Sequence, residues 1–161
     1  YGDPRHLHSF PTRRSSDLAP CPPDGLPETL IRNATIITPN RTEFALLGGP
    51  DASDVRSEKT VRAIREFLSD NRFPAVVLSL GKVGAALFEP GKPPVIVPAP
   101  KVKAVDAVGA GDCLNGVLAA GLSDGKPLEH ALRAAVKAAS ISVTRPGAQP
   151  SMPTRAEIEG A

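Results

Sequence analysis

Two short apolar runs, 34–38 (Ala-Thr-Ile-Ile-Thr) and 75–80 (Ala-Val-Val-Leu-Ser-Leu), constrain the fold more than any other feature. Neither alternates apolar with polar residues, so each reads as a strand buried on both faces. Helical patterns separate them. One starts at Arg41 and stops at Gly48-Gly49-Pro50, and another spans 57–68, with Val61, Ile64, Phe67 and Leu68 on one face. Beyond the second run, short strands at 85–89 and 95–97 flank the turn Pro90-Gly91-Lys92-Pro93-Pro94. Helices follow at 113–122 and 128–144, the latter ended by Arg145-Pro146-Gly147. Strands alternating with helices predict an α/β fold with a mostly parallel sheet and ligand sites in loops at strand C-termini. Upstream, 19–27 reads as a Pro-rich loop and 28–33 as a short helical turn.

Composition narrows the function. With 161 residues, 41% hydrophobic and 22% charged, the chain can bury a sizeable core, which excludes disordered and collagen-like classes. Net charge is +2 without charged blocks, leaving no footprint for nucleic acid or an anionic membrane. No apolar run approaches the roughly 18–20 residues that cross a bilayer, and no signal peptide is legible, so a cytoplasmic protein is expected. Cys21 and Cys113 have no second Cys or His at ligand spacing, which argues against a disulfide scaffold or a zinc site.

The first 18 residues show no periodicity. Back-translated in one frame, Ser9 to Leu18 gives TCT TTC CCT ACA CGA CGC TCT TCC GAT CT, which resembles a sequencing-library adapter read as coding sequence. Residues 1–18 are therefore expected to be a non-native, disordered leader, and 19–161 the domain proper.

The sharpest chemical signal is Asp106-Ala107-Val108-Gly109-Ala110-Gly111-Asp112, running straight into an apolar helix. Glycines permit close backbone approach, and the free N–H groups of a first helical turn, reinforced by the helix dipole, make an anion site. A phosphate would rest against Gly109, Ala110 and Gly111. Asp112 beside that anion is unfavourable for binding alone. It fits a carboxylate that takes a proton from an attacking hydroxyl while the amides hold the transferring phosphoryl group. The plainer reading of Asp112 is a cap or dipole partner. Competing phosphate motifs fail. G-x-G-x-x-G from Gly109 breaks at Leu114, and Gly81-Lys82, Gly91-Lys92 and Gly125-Lys126 lack the following Ser or Thr of a P-loop.

Asp-x-x-Gly-Ala-Gly-Asp followed by Cys113-Leu114-Asn115-Gly116 resembles the second signature of the ribokinase-like (PfkB) sugar kinases. Three more segments agree in order and spacing: Ile37-Thr38-Pro39-Asn40-Arg41-Thr42-Glu43, Ser79-Leu80-Gly81-Lys82-Val83-Gly84, and the stretch from Val143-Thr144-Arg145-Pro146-Gly147 to Pro153. The resemblance implies a Rossmann-like three-layer sandwich, of which 19–161 is the C-terminal part, with the N-terminal half and the small β lid absent.

It also implies a function and a set of roles. The reaction would be ATP-dependent phosphorylation of a sugar, D-ribose to ribose 5-phosphate first. Fructose, 2-keto-3-deoxygluconate or a nucleoside are alternative acceptors, and an inactive nucleotide-binding fragment is a further reading. Asp112 would be the general base, in contact with the sugar hydroxyl, and Gly109, Ala110 and Gly111 the anion hole. ATP would lie along Asn40, Ser79, Leu80, Gly81, Lys82, Val83, Gly84, Gly111 and Asp112. Mg²⁺ would be held through Asn40 and Glu43, largely by way of water. A monovalent cation such as K⁺ would be held by Asp106, Val108, Ser142, Arg145, Gly147 and Ser151, several through carbonyls. Intact members of the family are often homodimers. Ala107 stands where Thr or Ser is usual, and Val136 where a polar nucleotide contact is frequent.

Overall fold

The computed structural model describes residues 15, 16, 31 and 33–160. The leader apart from Ser15 and Ser16, the segment 19–27, and the 28–33 turn apart from Ile31 and Asn33 lie outside the described residues.

Strands β1 (Ser15–Ser16), β2 (Ile36–Ile37), β3 (Ala75–Ser79), β4 (Gly84–Phe88) and β5 (Val95–Pro98) form one sheet in that order. β1, β2 and β3 run parallel, while β4 is antiparallel to both β3 and β5. The sheet is thus mixed, where alternation alone predicts a mostly parallel one. The reason is connection length. A parallel return needs a crossover of about a dozen residues, and the Gly81–Val83 turn that joins β3 to β4 is far too short. At the far edge Ser15 and Ser16 pair with Ile36 and Ile37 although the leader carries no strand pattern. A two-residue edge ladder uses only backbone groups.

Helices cover both faces. α1 (Arg41–Leu46) and α2 (Glu58–Asp70) pack on one side, around Ile37, Phe44, Ile64, Val76, Leu78 and Phe88. α3 (Ala110–Ser123) and α4 (Leu128–Ser142) pack on the other, around Ile36, Val77, Leu87, Leu118 and Leu132. Neighbouring strand residues fall into opposite cores: Val76 and Leu78 into the first, Val77 into the second. This accounts for the continuous apolar run at 75–80. Burying each large aliphatic side chain contributes roughly 1.5–3 kcal/mol, so both layers are held firmly to the sheet. α3 and α4 meet closely where Gly121 lies against Ala131, and Ala131, Ala135 and Ala138 of the Ala-rich 128–144 pattern are all fully buried. Among the described residues no helix is long and apolar enough to cross a membrane.

α2 ends in a Schellman arrangement. The Phe73 N–H donates to the Leu68 carbonyl at 2.9 Å and the Arg72 N–H to that of Ser69 at 3.1 Å. This places Arg72 at φ 54, a left-handed conformation that glycine adopts freely and Arg does not. Arg72→Gly is expected to stabilise the protein by about 0.5–1 kcal/mol, read as a rise in the urea midpoint at unchanged m. An unchanged or lowered midpoint would count against this.

Candidate active site

The C-terminal ends of β2 and β3 are joined directly: the Ser79 N–H donates to the Pro39 carbonyl at 2.9 Å, and Asn40 bridges Ser79 in parallel. The chain then turns through Gly81 and Gly84, both at positive φ, into β4. A segment following β5 crosses above, tied to the turn by the Ala99 N–H on the Val83 carbonyl (3.2 Å) and to the end of α4 by the Val105 N–H on the Val143 carbonyl (2.7 Å). Between these lies a cleft of about 470 Å³. It brings Ser79, Gly81, Lys82 and Gly84 together with Ala110 and Gly111 of α3, and with Val136, Ala139 and Ser140 of α4. A larger cavity of about 940 Å³ lies at the opposite end of β3, between α2 and the 89–91 turn, and contains none of the motif residues.

Two residues of the expected nucleotide loop face away. Leu80 is 3% exposed in the core on the α1/α2 side, and Val83 packs against the same core. Leu80 continues the alternation of Val76 and Leu78, and the tight Gly81–Val83 turn brings Val83 back to the same side, so both positions serve packing. Lys82 remains exposed and lines the cleft.

α3 begins at Ala110, three residues before the periodicity of its apolar face, so the Gly-Ala-Gly-Asp turn is itself helical. The cap is Gly109, at φ 78, with no side chain bonding there. A Cβ at Gly109 would stand 3.0 Å from the Ala148 Cβ, so the 145–151 loop packs directly under the turn. The Ala110 N–H is directed at the Ala107 carbonyl at 3.3 Å, whereas those of Gly109, Gly111 and Asp112 have no backbone acceptor among the described residues. The open donors are thus displaced from the expected trio. Asp112 is exposed, and its carboxylate has no hydrogen-bond or ion-pair partner among the described residues. It is therefore not the cap.

Asn40 and Glu43, in contrast, form a complete capping box on α1. Asn40 Oδ1 accepts from the Glu43 N–H at 2.9 Å, and Glu43 Oε2 accepts from the Asn40 N–H at 2.8 Å. Glu43 is 8% exposed.

Asp106 joins the turn to the 145–151 loop. Its Oδ1 accepts from the Val108 N–H at 3.0 Å and its Oδ2 from the Gly147 N–H at 2.9 Å. These two donors, Val108 first, hold its carboxyl below the ordinary value. Of the other residues expected around a monovalent cation, Ser142 and Ser151 are buried and spend their hydroxyls on the Ala139 and Ala148 carbonyls, while Val108 is 63% exposed. Burial pushes the Cys113 thiol up, which leaves it a packing residue.

Residues 155–160, outside the elements read from the sequence, form α5 (Arg155–Gly160), whose start is marked by the capping-box spacing Thr154-x-x-Glu157. Glu157 on this helix is held at about 2, from an ordinary 4.5. The Arg145 guanidinium is the main cause, with the Thr154 amide and hydroxyl adding to it. A depressed carboxyl stabilises fully above its unfolded value and loses that contribution as pH falls towards its folded one. α5 is therefore expected to stay docked down to about pH 4.5 and to loosen progressively between there and pH 2. Amide shifts of Thr154 and Glu157 through an acid titration would check this. A Glu157 midpoint at the ordinary glutamate value would contradict it.

A family model for pfkB family carbohydrate kinases matches residues 14–155. The chain is 38% identical over 140 residues to the ribokinase of Haemophilus influenzae, covering 87% of this chain and 44% of that protein. It is 34% identical over 139 residues to the bifunctional protein HldE of Pectobacterium carotovorum, covering 86% and 28%. Its fold matches that of Arabidopsis thaliana ribokinase complexed with ribose and ATP at a TM-score of 0.78 and 30% identity, covering 92% of this chain and 46% of that one. The chain spans less than half the length of each of these relatives. With the family model matching residues 14–155, the chain belongs to the pfkB family of carbohydrate kinases.

Proposed function

We propose that this chain supplies the nucleotide-binding and base-bearing part of a cytoplasmic, ATP-dependent sugar kinase that converts D-ribose to ribose 5-phosphate. One observation carries this reading: the Ser79–Gly84 connection and the first turn of α3 meet in a single cleft, at a helix start with open amides. The apolar wall of Val136 and Ala139 suits a flat base, and glycines at positions 81 and 84 let it lie against backbone. The γ-phosphate is held by the free amides of Gly109, Gly111 and Asp112 and by the α3 dipole. Asp112 takes the proton of the attacking sugar hydroxyl. In a loose phosphoryl transfer that proton moves late, so a weak base suffices.

The residues present fit the expected ions in a limited way. No cluster of three or more His, Cys, Asp or Glu exists among the described residues, so no site built on such side chains alone is offered there. Asn40 and Glu43 each already accept one backbone N–H, leaving their remaining lone pairs for Mg²⁺ through water, the mode that ion prefers when it binds phosphates. The Asp106–Gly147 contact ties the 106–108 segment to the 145–151 loop, which supports a K⁺ site in which Asp106, Val108, Ser142, Arg145, Gly147 and Ser151 would offer mainly carbonyl oxygens. Such cations neutralise phosphate charge when bound.

The test is a chimera in which residues 33–160 replace the matching segment of Haemophilus influenzae ribokinase, together with titration of the chain itself with MgATP. ATP binding by the chain and phosphorylation of ribose by the chimera support the reading. Absence of MgATP binding overturns it. Phosphorylation of another sugar with ribose untouched would move the acceptor elsewhere in the family, a second reading favoured by the similarity to HldE.

A further inference from the structure

α5 lies outside the cleft, yet a continuous set of contacts leads from it to the anion-binding turn. Glu157 uses both carboxylate oxygens: Oε1 accepts from the Arg145 guanidinium, and Oε2 accepts from the Thr154 N–H at 2.7 Å and hydroxyl at 3.0 Å. It thereby closes the loop 145–154 on itself. Inside that loop, the Ser151 hydroxyl donates to the Ala148 carbonyl at 2.7 Å, and Ser151 is 1% exposed, which fixes the path of Ala148. The opposite side of the loop reaches the site twice: Gly147 donates to Asp106, and Ala148 sits where any Cβ at Gly109 would stand. Asp106 in turn holds the Val108 N–H immediately before the Gly109 cap.

From this geometry we propose that Glu157 is a positioning residue of the nucleotide site. It clasps the 145–154 loop so that Gly147 and Ala148 hold Asp106 and Gly109, and with them the open amides of the first turn of α3. The phosphate-binding consequence rests on the reading under Proposed function, whereas the clasp does not.

An ion pair this exposed adds little to global stability by itself, so the effect is local ordering. The experiment therefore compares four forms of the chain: the parent, Glu157→Gln, Arg145→Gln and the double variant. Amide hydrogen exchange is followed across residues 106–113, with MgATP affinity and the melting temperature alongside. In each single variant, exchange at 106–113 is expected to be about threefold faster, with α2 and β3 unchanged and the melting temperature moved by no more than about 3 °C. MgATP affinity is expected to fall by about the same factor, and the double variant to match the singles, because all three break the same contact. Unchanged exchange at 106–113 overturns the proposal. So does a uniform rise over the whole molecule, which marks plain destabilisation, or a double variant in which the two single effects multiply. If exchange responds as expected while the parent binds no MgATP, the clasp stands and the nucleotide reading falls.

Discussion

Asp112→Asn is expected to lower kcat for ribose phosphorylation by about 10³-fold in the chimera, with ATP affinity and melting temperature close to those of the parent. Both halves of this expectation come from the geometry of the turn. The side chain is exposed and bonded to nothing among the described residues, and Gly109 provides the cap. Removing its charge therefore costs no cap and no ion pair. It even relieves the repulsion of an anion placed against the neighbouring amides, so ATP affinity is held or slightly raised. A cap would behave in the opposite way, losing about 1 kcal/mol of stability with no specific effect on turnover. The kinetic test separates the two: kcat and kcat/KM falling together at constant ATP affinity identifies a group that acts in the transition state. Near-normal turnover would remove Asp112 from the mechanism.

The sequence displays those parts of the site that depend on residue type. Gly-Ala-Gly-Asp ahead of an apolar run announces a helix start, where Gly109 takes the left-handed cap position at φ 78, and the two buried strands are legible from their lack of alternation. Other features depend on what the chain meets in three dimensions. α3 starts three residues ahead of the apolar pattern at 113–122 because residues 110–112 are exposed or half-buried and carry no apolar period, so the helix extends past its hydrophobic signal. Leu80 and Val83 lie inside a glycine-framed loop; the continuing alternation of β3 turns Leu80 into the core, and the Gly81–Val83 turn returns Val83 to it. Asn40 and Glu43 satisfy a capping box and a kinase motif with the same spacing, so sequence cannot divide the roles; the structure shows the cap in full. α5 has the Thr154-x-x-Glu157 capping box as its sequence signal, but six residues carry too little apolar pattern to show that it docks, and the docking rests on Arg145 and Asp124, both distant in sequence.

Gly84→Ala is expected to be the most damaging single-methyl addition in the cleft. Gly84 stands at φ 116, between the turn and β4, and a Cβ there would lie 2.0 Å from the Val97 carbonyl oxygen and 2.7 Å from the Ala99 nitrogen. Neither neighbour can yield, since Val97 belongs to β5 and pairs with Ala85, and the Ala99 N–H is bonded to the Val83 carbonyl. Unusual φ alone costs about 1–3 kcal/mol, and displacing the β4–β5 ladder adds to it, so about 3 kcal/mol or more of stability should be lost. That corresponds to a fall of about 6–12 °C in melting temperature for a chain of this size. Two neighbouring glycines provide the controls. Gly81, at φ 60, has nothing within 4 Å of its Cβ position, so Gly81→Ala carries the conformational cost alone, about 1 kcal/mol. Gly111, in a helix and equally open, lines the cleft, so Gly111→Ala should leave stability unchanged or slightly raised while its methyl group lowers ATP affinity. Thermal melts and ATP titrations on the three variants test this ordering. If Gly84→Ala melts with Gly81→Ala, the close approach of β5 to the turn does not set the shape of the cleft.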